Sequence, residues 1–177
     1  MYETPDELAA LDGLLARSFA GAGPHLTSII RPERRLTADD LVRYLIGVRH
    51  LVVATVTAAG EPRTSGADGL FLHGRWWFTS NASAVKARHL EARPACSVTH
   101  LRGDEVGVFA HGAVRVVRGG TAESAALVPI WVEVYGGSPE SWVERPEDLR
   151  YYELVATSMF TYAFSREAFE RLRDAEG

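Results

Sequence analysis

The sequence predicts a mainly β, α+β protein: a small barrel of six mostly antiparallel strands with flanking helices. Two observations predict the barrel, and a third bounds it. Candidate strands such as Leu51-Val-Val-Ala-Thr-Val-Thr57 are apolar on both faces, so each has two sides to bury. The strands follow one another through tight turns, Ala58-Ala-Gly-Glu61 and His73-Gly74, which favours sequential antiparallel pairing. The 177 residues suffice for one domain with a sizeable core. A barrel buries one face of each strand, and the outer apolar face is then suited to a homodimer interface.

The elements read in order as a single domain, with a helical extension over 1–48, the barrel over 49–164 and a short helix over 165–177. Pro5-Asp-Glu opens a helix with proline and acids in its first turn, and Leu8, Leu11, Leu14 and Leu15 give it one apolar face to about Phe19. Gly21-Ala-Gly-Pro24 breaks it. Thr37 followed by Asp40 is a capping-box-like start for a second helix. Strands are expected at 51–57, 62–72 and 75–79, a helix over Ser80 to Ala92, and strands at 95–101 and 106–117, the last broken near Gly112. Thr121 caps a helix to about Val134, 136–146 is loop, Tyr152 to Phe164 is the last strand, and Ser165 caps the terminal helix.

Composition excludes several function classes. The net charge is −4 and no basic tract stands out, so no nucleic-acid footprint is expected. The run Arg31-Pro-Glu-Arg-Arg35 reads as a solvated loop. Cys96 is the lone cysteine and sits in an apolar run, as a small buried hydrophobe does. The acidic start MYETPDELAALDG lacks the regions of a signal peptide, and no apolar run approaches the ~20 residues that span a bilayer. A cytoplasmic protein with no membrane partner is expected. There is no GxGxxG after a strand, P-loop, HExxH or GxSxG.

Lys86 is the one lysine among nineteen basic residues, and it falls in the first turn of the expected helix. A cation there opposes the helix dipole unless an anion is present. Ser80, Asn81 and Ser83 add donors around the same turn, and together these groups suit a phosphate. The competing reading is an exposed helix residue that happens to survive. Trp76-Trp-Phe78 directly before the turn suits either a planar ligand or plain core.

The order LVVATVT, AAGEP, RTSGADGLFL, HGR, WWFTSN, SAVKARHLEARP, ACSVTH, HGAVRVV resembles the pyridoxamine 5′-phosphate oxidase-like family of FMN-binding split barrels. The resemblance spans roughly 49–118, with a tail at Met159-Phe-Thr-Tyr-Ala-Phe164. It implies a dimer with the cofactor at the interface and hydride transfer as the reaction. FTSNASAVKARHL resembles the family's phosphate motif, which implies cofactor contacts at Thr79, Ser80 and Lys86, and at Ser65 on the second strand. Ala84-Val85-Lys86 stands where the vitamin B6 oxidases have Ser-Arg-Lys, and the C-terminal pyridoxal-phosphate signature is missing from SREAFERLRDAEG. The resemblance therefore implies FMN or the deazaflavin F(420) without vitamin B6 oxidation. Relatives that bind haem or biliverdin leave a haem alternative, with His111 as first suspect, and a non-catalytic flavin binder is a further one.

Other residues carry narrower expectations. Arg88 is expected to point away from Lys86 and pair with Glu91 or a neighbouring element. Asp68, between Gly66 and Gly69, suits a bulge or a pocket wall. His73 reads as a solvent-facing turn residue, and His89 and His100 show no metal-ligand spacing. Trp131 or Trp142 could cover a cofactor from a second subunit.

Overall fold

The computed structural model describes residues 2–176; Met1 and Gly177, the outer ends of the expected extension and terminal helix, lie outside the described residues. The first helix, α1 (Pro5–Ala20), begins at a capping box in which Thr4 and Glu7 satisfy each other's backbone N–H. The expected break at Gly21-Ala-Gly-Pro24 is where α1 ends; beyond it the chain forms α2 (Pro24–Ile29) and, where an irregular loop was expected, a 3-10 turn, Pro32–Arg34. Aromatic rings explain the difference: the Arg34 guanidinium lies over Tyr162 and Phe164, and that of Arg35 is 4.2 Å above Phe19. Next comes α3 (Ala38–Tyr44), capped by the box that Thr37 and Asp40 form.

The six strands are β1 (Arg49–Val56), β2 (Pro62–Leu72), β3 (Arg75–Asn81), β4 (Ala95–Arg102), β5 (Val106–Arg118) and β6 (Leu149–Ala163). They close a barrel in the order β1-β2-β3-β6-β5-β4, every pairing antiparallel. Between the strands lie α4 (Val85–Ala92) and α5 (Ala122–Tyr135), and α6 (Arg166–Glu176) ends the chain. The expected break near Gly112 is a β-bulge between His111 and Gly112. A Cβ at Gly112 would stand 2.1 Å from the Val155 carbonyl oxygen, so only glycine fits there. The last strand begins three residues before the expected Tyr152, because Leu149 to Tyr151 pair with Asn81 to Thr79. The 136–148 connection holds two further 3-10 turns, Pro139–Trp142 and Pro146–Asp148.

Strands apolar on both faces find two cores. Trp76, Phe78, Tyr152 and Leu154 point into the barrel with α1, α3 and α6 residues such as Leu15, Leu41 and Phe169. Trp77, Leu149 and Tyr151 point outward and are covered by Trp131 of α5. The N-terminal extension is tied to the barrel by Ser18, whose hydroxyl accepts the Met159 N–H at 2.9 Å, and by Thr161, which accepts the Leu36 N–H at 2.9 Å.

The two sides of the barrel do not stay zipped everywhere. Strand β2 pairs with β3 only over Gly69–Leu72 against Arg75–Phe78. Beyond that, β2 follows β1 from Pro62 to Asp68, while β3 follows β6 through Thr79, Ser80 and Asn81. A split opens between residues 62–68 and 79–81, and α4 packs beside it on β1 and β3.

Asp40 joins α3 to α6 through two 2.7 Å bonds donated by Arg166. Burial raises its pKa, but the Arg166 and Thr37 bonds outweigh burial and hold it below the ordinary 3.8. A carboxyl depressed in the folded state adds stability above its ordinary pKa and loses that stability as pH falls through the folded value. Asp40→Asn should therefore cost about 2 kcal/mol at pH 7. The gap to wild type should shrink below about pH 4, as read by urea unfolding at both pH values.

Candidate functional site

The site is built around the start of α4. Ser80 and Asn81 were expected to begin a helix, but they are the last rungs of β3, opposite Arg150 and Leu149. Asn81 Oδ1 then accepts the Ser83 N–H at 2.8 Å and the Ser83 hydroxyl at 2.7 Å, a side-chain-closed turn that delays the helix to Val85. Lys86 is still in the first turn. The N-cap is Ala84, which has no capping oxygen. By contrast Thr4, Thr37 and Thr121 cap α1, α3 and α5 with complete boxes. The positive end of α4 thus has no side-chain acceptor.

Four bonds fix α4 in place. Glu91 accepts from buried Arg150 of β6 at 2.8 Å, and His89 bonds Thr55 of β1 at 2.9 Å. Arg93 donates to the Val56 carbonyl at 2.9 Å, and Arg88 donates to the Ser83 carbonyl at 2.7 Å. Of the two partners expected for Arg88, Glu91 or a neighbouring element, Glu91 is not the one, because it serves Arg150; Arg88 locks the preceding turn.

From this fixed helix Lys86 reaches across the split and donates to the Gly66 carbonyl of β2 at 2.5 Å. Burial pushes its pKa below the ordinary 10.5, and the nearby Asp68 charge pulls it back up. An ammonium has three N–H donors, so two are left for another acceptor. Ser65, next to Gly66, has a buried hydroxyl with no hydrogen-bond partner. Such an orphan costs about 1–3 kcal/mol unless something polar meets it. Thr79 and Ser80 are half-buried on the opposite side of the split. The structure therefore brings Ser65, Thr79, Ser80 and Lys86 to the two sides of one opening. Asn81 and Ser83 lie beside it, with the Ser83 N–H and hydroxyl both donated to Asn81 Oδ1.

A phosphate-bearing cofactor fits this donor set. The uncapped helix start, the two remaining Lys86 hydrogens and the Ser65 hydroxyl all seek an acceptor. Asp68 is close enough to act on Lys86, but its carboxylate is engaged by His50 Nδ1 at 2.9 Å. Asp68 faces His50 in a regular register, so it is not a bulge residue.

The remaining candidates fall elsewhere. His73 occupies its turn at φ 54 and bonds Glu7 at 3.2 Å. His100 is buried, with Nδ1 at 3.1 Å from the His50 carbonyl. His111 bonds Ser97 at 2.7 Å and lines an apolar groove on β5. Cys96 is buried, which pushes its thiol up to about 11, so it is no nucleophile. Trp131 is fully buried under its own helix and cannot cover a cofactor from a second subunit; Trp142 is half exposed against Tyr135. Among the described residues no cluster of three His, Cys, Asp or Glu could hold a metal ion.

The family model for pyridoxamine 5′-phosphate oxidase matches residues 38–160, from α3 through most of β6. The chain belongs to that split-barrel family. Solved structures agree on the fold. The haem storage protein HutZ from Vibrio cholerae is 19% identical, with 75% of this chain and 99% of that one covered and a TM-score of 0.61. A protein named as an F(420) reductase is 18% identical over 66% and 92%, at 0.53. A pyridoxamine 5′-phosphate oxidase-related, FMN-binding protein from Nostoc punctiforme is 15% identical over 80% and 85%, at 0.52. Among curated proteins none matches this chain. No helix is long and apolar enough to cross a membrane, among the described residues.

The residues that sequence reasoning missed are the ones that hold the helix: Arg150, Glu91, Thr55 and His89. Arg150 and Glu91 are 59 residues apart, and no spacing rule joins them.

Lys86, as the sole lysine, can be read without interference. Asp68→Asn removes the charge that supports its ammonium, so its pKa should fall further. Acylation of Lys86 at pH 8, followed by peptide mass mapping, should then run faster in the variant than in wild type.

Proposed function

We propose that this protein binds a flavin-type cofactor, FMN or the deazaflavin F(420), by its phosphate at the start of α4, and that it catalyses two-electron, hydride transfer. The observation that carries this reading is the uncapped first turn of α4, with Lys86 reaching over the split to β2 beside the unpartnered Ser65 hydroxyl. Family membership supports it, as do neighbours named as FMN-binding and as an F(420) reductase.

When bound, the cofactor ring supplies the redox chemistry. The chain supplies placement. Lys86 holds the phosphate as a point charge, while Ser65, Thr79 and Ser80 offer hydroxyl donors from both sides of the split. Asn81 and Ser83 shape the turn that sets the helix start. The Arg150–Glu91 and His89–Thr55 bonds keep that start from drifting, which matters because a misplacement of about 1 Å can cost a hundredfold in rate. Val85 is 55% exposed and gives no second cation beside Lys86, which argues against vitamin B6 oxidation.

A second copy of the chain completes the site in this reading. Strand β1 turns Val52 and Val56 out to solvent beside the split, an apolar surface suited to a homodimer. A cytoplasmic location is part of the same reading.

Parallel titrations of cofactor-stripped protein with FMN, F(420) and haemin test the proposal. One flavin type should bind, and Lys86→Ala should weaken it by about 10- to 100-fold. The melting temperature should change little, and the loaded protein should sediment as a dimer. Unchanged affinity in the variant removes the phosphate site. Haemin binding that ignores Lys86 but is lost in His111→Ala assigns the protein to haem instead. Flavin binding without turnover by any reductant makes it a carrier.

A further inference from the structure

The outer face of β2 leads away from the split towards α5. Alternate residues of a strand share a face, so Gly66, Asp68 and Leu70 lie on the outer one. The Gly66 carbonyl takes the Lys86 ammonium. Leu70, about 13 Å further along the strand, belongs to the outer core beneath α5. Tyr135, in the last turn of α5, packs against that same core. Its ring stacks on Trp131 at 5.4 Å and meets Trp142 edge-on at 5.1 Å.

The Tyr135 hydroxyl is buried and has no hydrogen-bond partner among the described residues. Asp68 is near enough for its charge to act on it, but the Asp68 carboxylate is held by His50 at 2.9 Å. Burial and that charge both raise the hydroxyl's pKa, so it remains a protonated donor at neutral pH. The same carboxylate acts on Lys86, and its place on β2 lies between the Lys86 contact and the outer core. Two other polar atoms of this core lack partners, the Tyr151 hydroxyl and Trp131 Nε1, but those residues are fully buried. Tyr135 is partly exposed, so of the three it is the one a ligand can reach.

In FMN and in F(420) a ribityl chain carries the ring away from the phosphate. A phosphate on Lys86 therefore leaves the ring to lie along the outer face of β2, towards Tyr135 and the 51% exposed Trp142. Resting on the flavin reading above, we propose that the Tyr135 hydroxyl binds the cofactor's ring and donates to one of its carbonyl oxygens. Lys86 and Tyr135 then hold opposite ends of one ligand, the first by charge and the second by a directed hydrogen bond.

The test is titration of the cofactor-stripped whole protein with FMN and F(420), in wild type, Tyr135→Phe, Tyr151→Phe and Lys86→Ala. Tyr135→Phe should weaken whichever flavin binds about fivefold and move the ring's long-wavelength absorption band. Before cofactor is added, its melting temperature should match or exceed wild type, because the change removes a buried hydroxyl that has no partner. Tyr151→Phe removes the same atom from the same core and should leave affinity and spectrum at wild type. Wild-type affinity and spectrum in Tyr135→Phe overturn the proposal, and the phosphate reading survives if Lys86→Ala still weakens binding. Weakening by Tyr135→Phe but not by Lys86→Ala upholds the ring contact and removes the phosphate site. A clear fall in melting temperature in Tyr135→Phe shows a hydroxyl already satisfied in the free protein and overturns the proposal. Equal weakening in Tyr151→Phe also overturns it, by assigning the effect to packing of the outer core. If neither flavin binds wild type, both readings fall.

Discussion

The ladder between β2 and β3 stops at Gly69 and Phe78, and the site is arranged around that stop. At the last rung there is no room for a side chain: a Cβ on Gly69 would lie 2.2 Å from the Leu51 side chain and 2.9 Å from the Trp77 carbonyl oxygen. Leu51 fills that space from inside. Past it the two strands follow different neighbours, β2 staying with β1 and β3 with β6. Each half is anchored by burial: Val53 and Leu51 point inward, while Trp77 and Tyr151 are covered by α5. The opening is therefore a consequence of where the two cores place their side chains, and α4 occupies its edge.

An opening of this kind leaves polar groups with incomplete partners. The chain satisfies helix starts elsewhere with threonine boxes, each worth about 1 kcal/mol. At α4 it places alanine. The Ser65 hydroxyl is left buried and alone beside Gly66, whose carbonyl takes the Lys86 ammonium. Local rules are commonly broken where function requires it, with the cost met by the surrounding structure. Here the surrounding structure is the set of bonds from Arg150, Thr55, Arg93 and Arg88 that hold α4 rigid.

Most of the barrel was legible because its signals are local. Two-sided apolar strands, tight turns and the Thr37–Asp40 box each act within a few residues, and the structure repeats them. The position of Lys86 in a first turn was legible for the same reason. The start of α4 was misread by five residues because Ser80 and Asn81 suit a cap and a strand end equally well, and the pairing of β3 with β6 decides between them. Arg31 to Arg35 looks solvated in sequence, yet rings from Phe19, Tyr162 and Phe164 order it, the last two more than a hundred residues away. Asp68 looks like a bulge between glycines, but His50 on the next strand gives it a regular partner. Contacts between distant residues follow from the closed barrel, and the sequence alone does not show which strand neighbours which.

The central claim is that an anionic cofactor group sits on the N-terminus of α4. The most direct measurement is a set of amide 1H–15N spectra of the whole protein, recorded as FMN and then F(420) are added. The account predicts that the amides of Val85, Lys86 and Ala87 move first and furthest, together with Ser65 and Gly66 across the split. Cofactor binding that leaves these amides in place, while residues of another surface shift, would contradict it.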